Sequence, residues 1–187
     1  MTIIGITGTI GAGKGTIVDY LVSQHQYRHF SVRGFLTRLI EERKMPLNRD
    51  SMVQVANELR AAHSPSYIVE QLLEDAMQSG ANCIIESIRT VGEIQALRAH
   101  AGSFYLFAVD ADAPLRYQRV VARASETDNI SFETFLENES REMTSADPNK
   151  QNLAACQQLA DFQFTNNGSF TDLYGQVENI LQQINAV

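Results

Sequence analysis

The chain has 187 residues, 44% of them hydrophobic and 20% charged, with a formal net charge of −7. That length suffices for one well-formed core, and the composition is that of a folded globular protein, not a disordered one. The acidic balance argues against an extended nucleic-acid footprint, which needs a Lys/Arg excess, while a small anionic ligand stays compatible with arginines gathered locally.

The opening MTIIGITG has no charged leader, long apolar stretch or cleavage site, and is read as cytoplasmic sequence. No run reaches the roughly 18 apolar residues that a bilayer span requires, so no membrane association is expected. Cys83 in NCIIES and Cys156 in NLAACQQLA make no disulfide framework and are read as buried, inert thiols of a reducing compartment. No oligomeric state is assigned.

In chain order, TIIGIT (2–7) predicts a strand, and GKGTIVDYLVSQ a helix with Ile17, Tyr20 and Leu21 on one side. YRHFSV (27–32) predicts a second strand. About fifty residues then intervene, including SPSYIVEQLLEDAMQS with Ile68, Leu72, Leu73 and Ala76 at helical spacing. NCIIES (82–87) is a third strand, VGEIQALRAH a helix, SFYLFAVD (103–110) a fourth strand, and PLRYQRVVARA a helix with Pro114 in its first turn. A polar insertion, ASETDNISFETFLENESREM, follows, with Ser131 as N-cap of a helix carrying Phe132, Phe135 and Leu136. FQFT (162–165) is the fifth strand. Strand and helix alternating throughout predict a three-layer α/β/α domain with a parallel sheet, its two insertions placed to build or cover a ligand site.

The stretch GTIGAGKGT, residues 8–16, lies between the first strand and its helix. A phosphate chain needs several main-chain N–H groups turned inward, and residues without Cβ let the backbone wrap that closely. Gly8, Thr9, Ile10, Gly11, Ala12, Gly13, Lys14, Gly15 and Thr16 are therefore the predicted phosphate cradle, with Lys14 as its mobile cation and the helix N-terminus behind it. Gly15 stands where Ser or Thr ordinarily offers Mg²⁺ a hydroxyl, which leaves Thr16 as the predicted metal contact.

Transfer between two phosphorylated ligands calls for guanidinium groups at strand ends and in the insertions. Arg33 and Arg38 follow the second strand, Arg60 lies in the first insertion, and Arg89 follows the third strand. Arg116, Arg119 and Arg123 share one side of the helix entering the second insertion. Glu86, closing the third strand, is a candidate for holding magnesium or touching the acceptor, and Asp110, closing the fourth, is a weaker one. His25, His29, His63 and His100 form no metal-ligand spacing.

These residues resemble the P-loop nucleoside-monophosphate kinases, nearest to adenylate kinase, dephospho-CoA kinase and the phage-type deoxynucleoside monophosphate kinases. GTIGAGKGT is similar to their ATP-phosphate loop, SVRGFLTR to the TGDxLR segment, IIESIRTVGEIQAL to the segment holding the acceptor phosphate, and RYQRVVAR to the arginine pair entering the lid. FTNNGSFTDLYGQV is similar to the tail of dephospho-CoA kinases, which implies that Asn167 and Gly168 lie near the adenine. Phe35 replaces the family's aspartate, Glu86-Ser87 replaces Asp-Gly, and the lid lacks a cysteine quartet for zinc.

The resemblance implies a single P-loop kinase domain over 1–187, with a five-stranded parallel sheet in order 2-3-1-4-5, a helical acceptor-binding insertion at about 33–80 and a lid at about 124–150. It implies ATP and Mg²⁺, with the γ-phosphoryl group passing to a small nucleotide-type acceptor, first a (deoxy)nucleoside monophosphate. Lys14, Arg119, Arg123 and Arg89 are the expected catalytic set; Arg33, Arg38, Arg60 and Arg89 the expected acceptor set; Thr16 and Glu86 the expected metal contacts. Two rivals remain: a dephospho-CoA kinase, which wants a carboxylate base such as Asp110 or Glu86 near the acceptor, and a non-catalytic nucleotide-binding sensor or regulatory ATPase.

Overall fold

A computed structural model describes residues 1–123 and 130–185. Five strands form one parallel sheet: β1 (Thr2–Gly8), β2 (Arg28–Ser31), β3 (Cys83–Glu86), β4 (Ser103–Asp110) and β5 (Phe162–Thr165), in spatial order β2-β3-β1-β4-β5. This is the order the kinase resemblance implies. Central β1 pairs with both β3 and β4, Ile4 lying opposite Ile84 on one side and Tyr105 on the other.

Alternation along β1 and β4 divides the core into two layers. Ile3 and Leu106 face a cluster with Ile85, Leu36, Ile40, Val55, Ile68 and Leu72. Ile4, Ile6, Phe107 and Val109 face the other, with Ile17, Leu21, Phe164, Leu173 and Val177. The first layer is supplied by α2 (Val32–Glu42), α3 (Arg49–Ala62), α4 (Tyr67–Ser79), α5 (Val91–His100) and α8 (Leu153–Gln158), and the second by α1 (Lys14–His25) and α9 (Phe170–Asn185). Cys83 and Cys156 are both buried and free, and burial pushes the Cys156 thiol up to about 12, as inert core thiols require.

Helix α6 (Ala113–Arg123) leads into the second insertion, and α7 (Phe132–Met143) lies within it. Ser131 caps α7 as its sequence predicts, its hydroxyl accepting from the Thr134 N–H. Residues 124–129, the first part of the expected lid, lie outside the described residues. Among the described residues no helix is long and apolar enough to cross a membrane.

Candidate functional site

Two clefts open at the carboxyl ends of the strands and meet at one lysine. The first, with an empty volume of about 940 Å³, is lined by Ile10, Val32, Arg33, Leu36, Arg49, Met52, Val53, Ala56, Arg60, Ser87, Arg89, Glu142 and Gln151. The second, of about 930 Å³, is lined by Gly13, Gly15, Thr16, Asp19, Arg119, Val120, Asn166 and Phe170. Gly11, Lys14, Glu86 and Arg123 line both.

The loop between β1 and α1 takes its shape from its glycines and from neighbours distant in sequence. Gly13 caps α1 at φ 107°, where a Cβ would come within 2.2 Å of Asn166 Nδ2. That same amide donates to the Ala12 carbonyl at 2.8 Å, so the β5–α9 turn props the loop from behind. Thr9 donates its hydroxyl to Asp110 Oδ1 at 2.6 Å. Arg116 is buried; it donates Nε to the Ala111 carbonyl and Nη1 to the Ile10 carbonyl, and it pairs with Glu139 of α7. At Gly15 a Cβ would meet nothing in the protein within 4 Å, so the open space there belongs to the second cleft.

Lys14 donates Nζ to the Gly8 and Thr9 carbonyls, 2.8 Å each. Burial pushes its pKa from 10.5 down to about 7, the Arg89 charge adding to the drop and Glu86 and Glu142 opposing it. A lysine held near half-charge in a glycine cradle fits an absent polyanion. So does Arg119, whose Nη2 donates to the Asn166 carbonyl at 2.9 Å while buried Nη1 has no partner among the described residues. The Arg119 donor, the lysine and the open cradle suit a triphosphate.

For magnesium the donors are hard oxygens, as that ion requires: the Thr16 hydroxyl and the Glu86 carboxylate both line the second cleft. Glu86 is pushed up by burial, but hydrogen bonds from His29 and Ser87 and the charges of His29 and Lys14 outweigh this and hold it below its usual range. His29 Nε2 lies 3.1 Å from Glu86 Oε2. Among the described residues no three His, Cys, Asp or Glu groups gather into a metal cage.

The first cleft is organised by two buried carboxylates. Glu93, wholly buried, accepts from Arg60 Nε and Nη2 at 3.2 and 2.7 Å and from the main-chain N–H groups of Arg89 and Thr90 at 2.7 and 3.0 Å. It also completes a capping box with Thr90 at the start of α5. Arg60 is therefore more committed than its sequence implies, yet it lines the cleft and its buried Nη1 has no partner among the described residues. Glu142 of α7 binds Arg49 and Arg89 together, and Arg89 also donates to Gln151 Oε1 at 2.8 Å. Burial raises the Glu142 pKa, but the two guanidinium groups win and lower it.

Not every expected residue reaches the clefts. Arg38 lines neither and lies exposed, 6.0 Å over the Phe35 ring. Helix α2 buries Val32, Leu36 and Ile40, and position 38 sits about 200° round the axis from Leu36. Asn167 is turned outward, exchanging hydrogen bonds with Asp112, and Gly168 sits against Asp172, whereas Asn166 is the tail residue lining the cleft. Asp110 supports Thr9 and lines neither cleft. Sequence reading missed Arg49, Glu142, Gln151 and Phe170; only Phe170, an apolar residue within a polar turn, carried a local signal.

The chain is similar over 98% of its length to the UPF0200 protein of Methanococcus maripaludis strain S2, 27% identical over 187 residues and 98% of that protein. It is 28% identical over 187 residues to the UPF0200 protein of Methanocaldococcus jannaschii, covering 98% of this chain and 91% of that one. Among solved structures it is similar to TT1252 from Thermus thermophilus, with TM-score 0.63, 21% identity and 97% of both chains covered. Shikimate kinase from Bacteroides thetaiotaomicron aligns with TM-score 0.57 and 10% identity over 98% of both chains. At such identities the likeness is one of fold, and the fold is that of the P-loop kinases. The AAA_18 family profile, an AAA domain, matches residues 4–145, from within β1 through the glycine loop to just past α7, and the chain belongs to that family.

Proposed function

We propose that the protein is an ATP-dependent phosphotransferase that passes the γ-phosphoryl group to a small phosphorylated acceptor, most simply a (deoxy)nucleoside monophosphate. The observation that carries this reading is the junction: two arginine-bearing clefts share Lys14, Glu86 and Arg123. A protein that only bound or hydrolysed ATP would need the second cleft but not the first. In-line transfer needs a donor and an acceptor held end to end, with fixed positive charge between them.

In the second cleft the loop amides and Lys14 hold the donor's phosphates, and Phe170, 65% exposed at the start of α9, offers its ring to the base. Thr16 and Glu86 would hold Mg²⁺, which would supply charge neutralisation of the donor's phosphates. Arg119 and Arg123 face the transferring group. In the first cleft Arg33, Arg60 and Arg89 surround the acceptor's charged end, and Val32, Leu36, Met52, Val53 and Ala56 form an apolar wall for its remainder. The chain supplies position and charge, and no covalent step is assigned to any side chain. Arg38 and Asn167 are left out of this account by their placement.

ADP formation with ATP, Mg²⁺ and a panel of nucleoside monophosphates plus dephospho-CoA tests the reading. Stimulation by a monophosphate supports it. Stimulation by dephospho-CoA alone would instead favour the ribose-hydroxyl kinase, with Glu86, which lines the first cleft where Asp110 does not, as its base. Saturable ATP binding with no stimulation by any acceptor would favour a sensor or regulatory ATPase.

A further inference from the structure

We propose that Glu142 is a resident counter-ion occupying the seat of the acceptor's anionic group, and that a phosphate monoester dianion binds by exchanging with it for Arg49 and Arg89. The inference rests on the kinase reading for what the seat serves, but not for its chemistry. Glu142 is only 6% exposed, belongs to α7 and lines the first cleft together with its two partners, which come from other elements. Arg49 opens α3, and Arg89 follows β3 with its backbone fixed by Glu93. A carboxylate gripping two converging guanidinium groups reproduces what a phosphate monoester offers, with one charge fewer and fewer acceptor oxygens.

A second observation in the same cleft points to an anion. Arg60 lines this cleft, is 1% exposed and, among the described residues, leaves Nη1 without a partner even though Glu93 takes its other nitrogens. The resident carboxylate thus satisfies Arg49 and Arg89 but leaves the third guanidinium incompletely bonded. A dianion with three terminal oxygens has the capacity to serve all three. The exchange also couples acceptor binding to α7, because that helix is tied down twice on one side: Glu139 to Arg116, and Glu142, three residues on, to Arg49 and Arg89.

Binding of inorganic phosphate and of AMP, measured by calorimetry without turnover, tests the exchange in wild type, Glu142→Gln and Glu139→Gln. Removing one unit charge at contact distance from two guanidinium groups is expected to tighten anion binding by about tenfold or more in Glu142→Gln. Glu139→Gln loosens the same helix but leaves the Glu142 carboxylate in the seat, so any gain in affinity is expected to stay well below that of Glu142→Gln. Equal or weaker binding by Glu142→Gln, or equal tightening by Glu139→Gln, overturns the proposal. Should Glu142→Gln fail to fold, amide exchange in the wild-type protein decides: AMP is expected to speed exchange in the last turn of α7, and unchanged or slower exchange overturns it. Because these measurements read binding alone, they decide the chemistry of the seat even if the protein forms no ADP.

Discussion

Lys14 gives the sharpest quantitative expectation. Its pKa in the free protein is about 7 against an ordinary 10.5, a difference on the order of 5 kcal/mol against the charged form. A triphosphate in the glycine loop supplies the missing anion and restores the charged lysine, so nucleotide binding is linked to proton uptake wherever the free lysine is neutral. From a pKa of 7 the expected uptake is about 0.9 proton at pH 8, about 0.5 at pH 7 and about 0.1 at pH 6. Titration calorimetry with a non-hydrolysable Mg-ATP analogue, repeated in buffers of different ionisation enthalpy, reads this number directly. Lys14→Arg keeps the charge without a titrating group and is expected to lose the uptake. The sign for stability follows from the same shift. Between pH 7 and 10.5 the unfolded chain binds the extra proton, so this group's penalty on the free protein is full below pH 7 and fades as pH rises. Lys14→Met is accordingly expected to melt higher than wild type at pH 6, with the gap closing toward pH 10. Buffer-independent heats at pH 8, or equal uptake in Lys14→Arg, would refute the reasoning.

Three further outcomes are expected. Glu93→Gln leaves Arg60 buried without its counter-charge, and urea unfolding should register a loss of about 3–5 kcal/mol, with acceptor binding weakened through the displaced Arg89 backbone. Gly13→Ala sets a methyl against Asn166 at a backbone angle that L-residues rarely adopt; strain of about 1–3 kcal/mol should lower the denaturation midpoint, and calorimetry should show weakened nucleotide binding. Phe170→Ala should weaken ATP by up to about tenfold while leaving inorganic tripolyphosphate unchanged, since an exposed ring contributes through the base alone.

Periodicity placed the architecture well. The five predicted runs became the five strands: a buried central strand writes itself as an apolar segment, as in Ile3, Ile4 and Ile6 of β1, whereas the edge strands β2 and β5 stay partly exposed and keep polar residues. The strand order came from the family resemblance and not from the runs themselves, which carry no neighbour information. The glycine loop was legible because its requirements are local: a close-approaching backbone and one cation within nine residues. What escaped was long-range. Arg49 and Glu142 lie 93 residues apart, each in a polar stretch that reads as solvated surface, and only the fold brings them together. Arg38 misled for the converse reason, since a charge near a strand end is legible but the face of the helix carrying it depends on which residues that helix buries. The one-residue shift from Asn167 to Asn166 likewise reflects a turn whose facing is set by the Asn166 N–H bond to the Asp110 carbonyl, which no local pattern encodes.

Single-turnover transfer of labelled γ-phosphate tests most directly whether the two clefts join a donor to an acceptor. With γ-labelled ATP, Mg²⁺ and the monophosphate panel, the label is expected to appear in a nucleotide acceptor, and Lys14→Met is expected to abolish its transfer. Label recovered solely as inorganic phosphate, with every acceptor unmarked, would contradict the account.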